Sequence, residues 1–257
     1  MPRVRAGEAA NPSLPTVARV RVQFAKRGRL RFLSHRDVAR SVERALRRAA
    51  IPVSYSHGFS PHPRLTWSPA APTGTASEAE YLEIGLTREV EPGELGRALD
   101  AALPEGLDVL AAAPADGVAL ADRIDAARWR IELPQVPVEA LKAAVGALLA
   151  ADEVLVERVT PKGRKHVDVR AALVHVEVSS GVVSGTPSGA PDCAILTAVV
   201  RQGSPVVRPD DVLGALDVVA GLRPPVPARA TRLAQGLLDD RGELADPLGS
   251  DRVTTRA

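Results

Sequence analysis

The spacing of apolar residues changes along this chain, and that change limits the fold more than any other feature. Val20, Val22 and Phe24 recur at every second position with Arg21 and Gln23 between them, the period of a half-buried strand. Val38, Val42, Ala45, Leu46 and Ala49 then recur at three and four, the period of a helix with one buried stripe. Ser34, with Asp37 three residues on, marks the start of that helix, and Pro52 ends it. Before it, Lys26 to Arg29 reads as a tight turn into a second short apolar run, Leu30 to Leu33, which gives an added hairpin. Strands are expected over Leu65 to Ser68 and Ala79 to Leu86, the latter with Leu82, Ile84 and Leu86 on one face. A helix is expected over Gly93 to Leu103 with Leu95, Ala98, Leu99 and Ala102 inward, and a strand over Leu107 to Ala112.

The order strand, helix, strand, strand, helix, strand is that of a ferredoxin-like split βαβ unit. It recurs weakly downstream, as strand Trp129 to Leu133, helix Val138 to Ala150, strands Val154 to Val159, Leu173 to Val178 and Ala194 to Val200, and helix Asp211 to Ala220. Ser179 to Pro191 is a Gly/Ser/Pro loop. The expected class is therefore α+β, two tandem ferredoxin-like units with antiparallel sheets. They span residues 18–113 and 127–238, joined by a linker at 114–126 and flanked by disordered extensions at 1–17 and 239–257.

Composition narrows the chemistry. With 3% aromatic residues and a single Met, the core must be built mainly from Ala, Val and Leu, each burying little area at ~25 cal/mol per Å². The lone Cys193 excludes a disulfide framework and any cysteine-rich zinc or iron–sulfur site supplied by this chain alone, and fits a reducing compartment. No apolar run approaches the ~20 residues needed to span a bilayer, and Met1 to Pro15 lacks a hydrophobic stretch of signal-peptide type. A cytoplasmic protein with no membrane partner is expected.

Charge points to a partner. Between Ala18 and Arg64 stand twelve Lys/Arg against Asp37 and Glu43, a local +10 in a chain of net +2, so the remainder sums to −8. Such asymmetry suits a polyanion. At the helix start, the first free N–H groups lie beside Ser34 and His35, with Arg29, Arg31 and Arg36 around them, as an anion site. Arg36, Arg40, Arg44, Arg47 and Arg48 share the polar face of the helix. Arginines at i and i+4 repel by a few tenths of a kcal/mol, partly offset by Glu43 to Arg47, so a row of one sign favours phosphate binding over a plain solvated face. Tyr55 to Pro63 is too rich in Gly and Pro for a helix. It either presents Tyr55, His57, Phe59 and His62 to stack bases or hold a ligand, with Gly58 and Ser60 in the same binding loop, or plugs the core with Tyr55 and Phe59. His57 and His62 stand five apart, which is no standard ligand spacing, and neither a metal nor a cofactor is expected. Lys162 to Arg170 reads as a solvated basic hairpin.

Arg29 to His35 with Asp37, the helix ending Ala45-Leu46-Arg47-Arg48-Ala49, Tyr55-Ser56, Gly58 to Pro63 and Glu78 to Leu82 together resemble the bacterial radical SAM-associated family. That family is a domain of unknown function found beside, or fused to, a large radical SAM protein with a cobalamin-binding-type domain. The resemblance covers about Val20 to Leu110, with Val167-Asp168-Val169-Arg170 the best match beyond. His57 stands where the family pattern has Gln and Ser60 where it has Asn, which argues against a fixed catalytic or metal role for His57. The resemblance implies partnership with a radical SAM protein. One cysteine cannot hold the three-cysteine cluster of such an enzyme, so the chain is expected to be a non-catalytic accessory that binds RNA or another phosphate-rich substrate. Two other readings stand beside it. By architecture alone, tandem ferredoxin-like units also resemble the CRISPR repeat-processing endoribonucleases, with His35 as general acid or base in metal-free cleavage. The third is a protein-interaction module whose arginines meet an acidic surface.

Overall fold

A computed structural model describes residues 14–160, 163–181, 193–249 and 252–255 of the 257. Residues 1–13 of the extension expected over 1–17 and residues 182–191 of the Gly/Ser/Pro loop lie outside the described residues. The structure is α+β, with one large, mostly antiparallel sheet and five α-helices among the described residues.

The alternation of Val20, Val22 and Phe24 makes β1 (Ala18–Lys26), but both of its faces are buried. Leu30 to Leu33 is not a strand. Gly28, at φ +54, bends the chain into a 3-10 turn over Gly28–Phe32, closed by Leu30 N–H on Arg27 O and Leu33 N–H on Leu30 O. Those four residues are too few to run back along β1 before Ser34 starts the helix. α1 (His35–Arg48) buries Val38, Val42, Ala45 and Leu46 as its spacing requires. β2 (Leu65–Trp67) and β3 (Ala76–Leu86) follow, then α2 (Pro92–Ala102) and β4 (Val109–Pro114). α2 turns Gly96 rather than Ala98 to the sheet, because the bare glycine lets the helix approach β4. A Cβ there would lie 2.8 Å from Thr255 Oγ1 and 3.4 Å from the Cβ of Ala112.

The second half runs β5 (Ala126–Pro134), α3 (Val138–Ala150), β6 (Leu155–Thr160), β7 (Gly163–Asp168), α4 (Val169–Ala172), β8 (Leu173–Gly181), β9 (Cys193–Arg201), α5 (Pro209–Ala220) and β10 (Arg229–Gly236). β6 and β7 form a separate hairpin, tied to α5 by Arg158, whose Nε donates to Asp211 at 3.0 Å. The first half is ordered β4-β1-β3-β2 and the second β10-β5-β9-β8, with antiparallel neighbours in each. With the β6–β7 hairpin set aside, each half arranges its own strands fourth, first, third, second.

The halves share one sheet. β10 lies parallel to the start of β3, Thr231 opposite Ala76 and Arg232 opposite Ser77, while β2 occupies the same edge of β3 further along. Residues 68–75 cross this joint and place Ala71 in the core of the second half. Beneath them Arg232, 3% exposed, pairs with Glu80 and donates to Pro69 O at 2.8 Å. Lys26 donates to Ala71 O at 3.1 Å and Pro72 O at 3.3 Å. Burial holds the Lys26 ammonium below its usual pKa and nearby Arg232 adds to this, against the pull of Glu80.

The far face of the first half is apolar too, through Ala79, Tyr81, Ala111 and Ala113, and needs a cover. Leu120 and Ile124, from the segment expected as a linker, provide part of it. The residues expected as a disordered tail after Asp239 provide the rest. Leu248 is buried against Tyr81's cluster, and β11 (Val253–Thr254) pairs with β4. Arg21, 1% exposed on the same face, donates to Glu83 at 3.0 Å and Asp116 at 3.1 Å.

Removing Glu80 strands two buried cations. Glu80→Ala should therefore cost about 3–5 kcal/mol in urea unfolding, the range for breaking a buried ion pair. Tyr81 gives a pH prediction. Burial, reinforced by the Asp246 charge, raises its phenol above the ordinary 10.0. Below that pH the phenol is neutral in both states; above it the unfolded chain ionises first, so stability falls as pH rises. Tyr81→Phe should flatten this alkaline limb in unfolding curves taken from pH about 9 to 11.

Candidate nucleic-acid interface

Sequence proximity overstated the free basic charge. Arg19 and Arg21 pair with Glu83, Arg27 with Glu78 and Asp108, and Lys26 lies buried near Glu80. These counter-charges stand beyond Arg64 in the chain but next to β1 in the sheet. What reaches solvent is the helix. Arg36, Arg40, Arg44, Arg47 and Arg48 of α1 are all exposed, and among the described residues only Arg40 meets an acid, Asp37 at 3.9 Å. The Glu43–Arg47 pair expected from spacing is absent from these ion pairs. Arg44 reaches Ser41 Oγ at 3.3 Å and Arg48 reaches Ala102 O at 3.2 Å.

At the helix start, Ser34 is the N-cap. Its hydroxyl donates to Asp37 Oδ2 at 2.6 Å and accepts from Asp37 N–H at 3.3 Å, so its bonding capacity is turned inward. The hydroxyl above all, with help from the Arg40 and Arg36 charges, holds the Asp37 carboxyl below its usual range. That carboxylate also places negative charge where an anion was expected to dock. His35 is exposed, its ring standing edge-on to Trp67 with centroids 5.2 Å apart. Trp67 makes a second edge contact with Phe24, at 6.1 Å. Beside His35 a small cleft reaches Lys26, Ser68 and Glu80. Arg29 is exposed on the 3-10 turn, and Arg31 stacks over the Phe32 ring at 4.8 Å.

Tyr55 to Pro63 is a short hairpin. Tyr55 bridges Pro63, Ser56 N–H donates to His62 O at 2.8 Å, and His62 N–H donates to Ser56 Oγ at 3.0 Å. Its base lies on β3 through Ser54 N–H to Gly85 O and Gly85 N–H to Arg64 O. Gly85 permits this seat, since a Cβ there would lie 2.7 Å from Ser54 Oγ. The two readings of the loop divide between its rings. Tyr55 packs partly against the core, whereas Phe59 at the tip, beside Gly58 at φ +122 and exposed Ser60, is 93% exposed.

The structure therefore separates the predicted site into two parts. His35 sits over Trp67, which pairs with Leu82 on β3, while the hairpin base pairs at Gly85. Three residues of strand, about 10 Å, lie between. Sequence reading missed Glu80 and Lys26 in the His35 cleft and the exposed ring of Phe32, 59% accessible. Glu80, an acid at the second position of the largely apolar run Ala79 to Leu86, was the available signal. Among the described residues no three His, Cys, Asp or Glu side chains are grouped to hold a metal ion, and no helix is long and apolar enough to cross a membrane.

A family of uncharacterized proteins conserved in bacteria, DUF2344, matches residues 19–209. The chain belongs to this family. The DUF2344 match takes in α1, the hairpin and the 68–75 crossing, and ends at the first residue of α5, leaving β10 and Arg232 beyond it. Among curated proteins none matches the chain.

Because Ser34 acts on its own helix, Ser34→Ala should cost about 1 kcal/mol in urea unfolding. In the same variant the Asp37 carboxyl should titrate closer to its ordinary value, which carbon-detected NMR reads directly.

Proposed function

We propose that this chain is a non-catalytic accessory protein that binds RNA or another phosphate-rich substrate and works with a separate radical SAM enzyme. One observation carries the binding half of this reading. Phe59 stands 93% exposed on a hydrogen-bonded hairpin whose base follows, within a few residues, a helix displaying five exposed arginines. A ring held out on a stiff turn suits stacking on a base, and exposed arginines of which only Arg40 meets an acid among the described residues suit the phosphates on either side. An acidic protein surface would use the arginines but gives no use for the ring. The radical SAM partnership rests on the resemblance carried by Arg29 to His35, Gly58 to Pro63 and Glu78 to Leu82. The repeated strand order supports reading each half as a ferredoxin-like unit, and the lone, buried Cys193 fits a cytoplasmic location.

A second reading has its own observation. His35 borders a cleft that also holds Lys26 and Glu80, the residue types of metal-independent RNA cleavage. The accessory reading expects no cleavage by the wild type. Single-turnover cleavage in chelator, lost in His35→Ala while binding persists, would replace it with an endoribonuclease.

Replacing Arg40, Arg44 and Arg47 together by Gln should weaken binding of single-stranded RNA. It should also flatten the salt dependence by up to about two units, at ~0.7 per phosphate contact. Phe59→Ala should weaken binding by about 1–3 kcal/mol, the value of one stacked base, with the unfolding midpoint unchanged. Wild-type affinity and slope in both folded variants would sink the proposal.

A further inference from the structure

A cavity of about 170 Å³ lies where the two halves meet, away from the arginine face of α1. Trp129 and Val207 of the second half form one wall, and Pro69, Ala70 and Pro72 of the crossing segment form another. The Arg232 guanidinium, which also lines the cavity, lies over the Trp129 ring, 5.5 Å from its centroid. Arg232 is itself engaged by Glu80, Pro69 O, Ser77 and Gln235, which take up most of its N–H donors. Arg201, Gln202 and Arg208 also line the cavity, and they differ in this respect. Both guanidiniums are exposed and meet no acid among the described residues.

Size, wall and rim each restrict the occupant. An engineered apolar cavity of ~150 Å³ takes up benzene, so this one has room for a single aromatic ring. An indole wall favours a flat π-system. Two neighbouring cations at the rim favour a phosphate carried by that ring, and the Gln202 amide offers a donor and an acceptor to a heterocyclic edge. We propose that the cavity binds a pyrimidine nucleotide, its ring against Trp129, its amide edge at Gln202 and its phosphate between Arg201 and Arg208. A free mononucleotide and one base of an RNA strand present this same chemistry.

The chain has two tryptophans, so Trp67→Phe leaves Trp129 as the sole indole reporter. Uridine 5′-monophosphate should change its emission saturably, and uridine, lacking the phosphate, should bind about tenfold or more weakly. The pair Arg201→Gln and Arg208→Gln should weaken the nucleotide by a similar factor, and Ala70→Phe, which closes the exposed mouth without touching the core, should abolish binding. Calorimetry on the wild type repeats the titration without the Trp67 substitution. Replacing Arg40, Arg44 and Arg47 by Gln should leave mononucleotide binding unchanged, which separates this site from the RNA face. An oligouridylate that alters Trp129 emission and is displaced by the mononucleotide identifies a strand as the source; one that leaves Trp129 unaffected identifies the free nucleotide. Absence of saturable binding in both assays, or wild-type affinity in both the Arg201/Arg208 and Ala70 variants, overturns the proposal.

Discussion

Two cations and one carboxylate share the buried joint between the halves, and much of the molecule is arranged around that imbalance. Glu80 pairs with Arg232, leaving the Lys26 ammonium without an ion-pair partner of its own among the described residues, in a place where water scarcely reaches. Charge in such a site is tolerated only with dense hydrogen bonding. The carbonyls of Pro69, Ala71 and Pro72 supply it. All three belong to the 68–75 crossing, so the need to solvate two cations fixes the path of that segment. The crossing in turn walls both the cleft beside His35 and the cavity against Trp129. Both concavities thus inherit their shape from one electrostatic requirement.

Local rules made much of this legible in advance. The α1 stripe, the Ser34 cap and the span of α3 follow from spacing and neighbours within one or two turns. Leu30 to Leu33 failed because an apolar run of four serves a strand or a tight turn equally, and only the distance left to the helix cap decides. Ala98 failed because helical period alone does not reveal that Gly96 permits a closer approach to the sheet. β10 was missed altogether. Arg229 to Gly236 carries Arg232 and Gln235 at buried positions, so its pattern reads as polar until the partners Glu80, Ser68 and Ala79 O are known.

The candidate interface was legible in the same uneven way. The helix arginines follow from periodicity, since positions four apart on a polar face have nowhere to go but solvent. The β1 cations do not, because antiparallel pairing sets Arg19 and Arg21 against Glu83, more than sixty positions away. Tyr55 and Phe59 were indistinguishable as two rings in one loop. Their separation into a packed ring and a free one depends on the rungs between Ser56 and His62, which lift the tip off the core.

The place of β10 bears on how the molecule is made. Among the described strands only β11 follows it in the chain, yet it lies in the middle of the sheet, between β3 and β5. As the polypeptide emerges from a ribosome, α1, α2 and the first four strands can assemble early, but Glu80 then waits for its guanidinium until some 150 further residues have been translated. The far side of Tyr81 stays bare for longer still, until Leu248 arrives. The first half therefore spends its early life with an open strand edge and with Glu80 facing only the Lys26 ammonium, and the last part of synthesis closes that edge and brings the guanidinium at once.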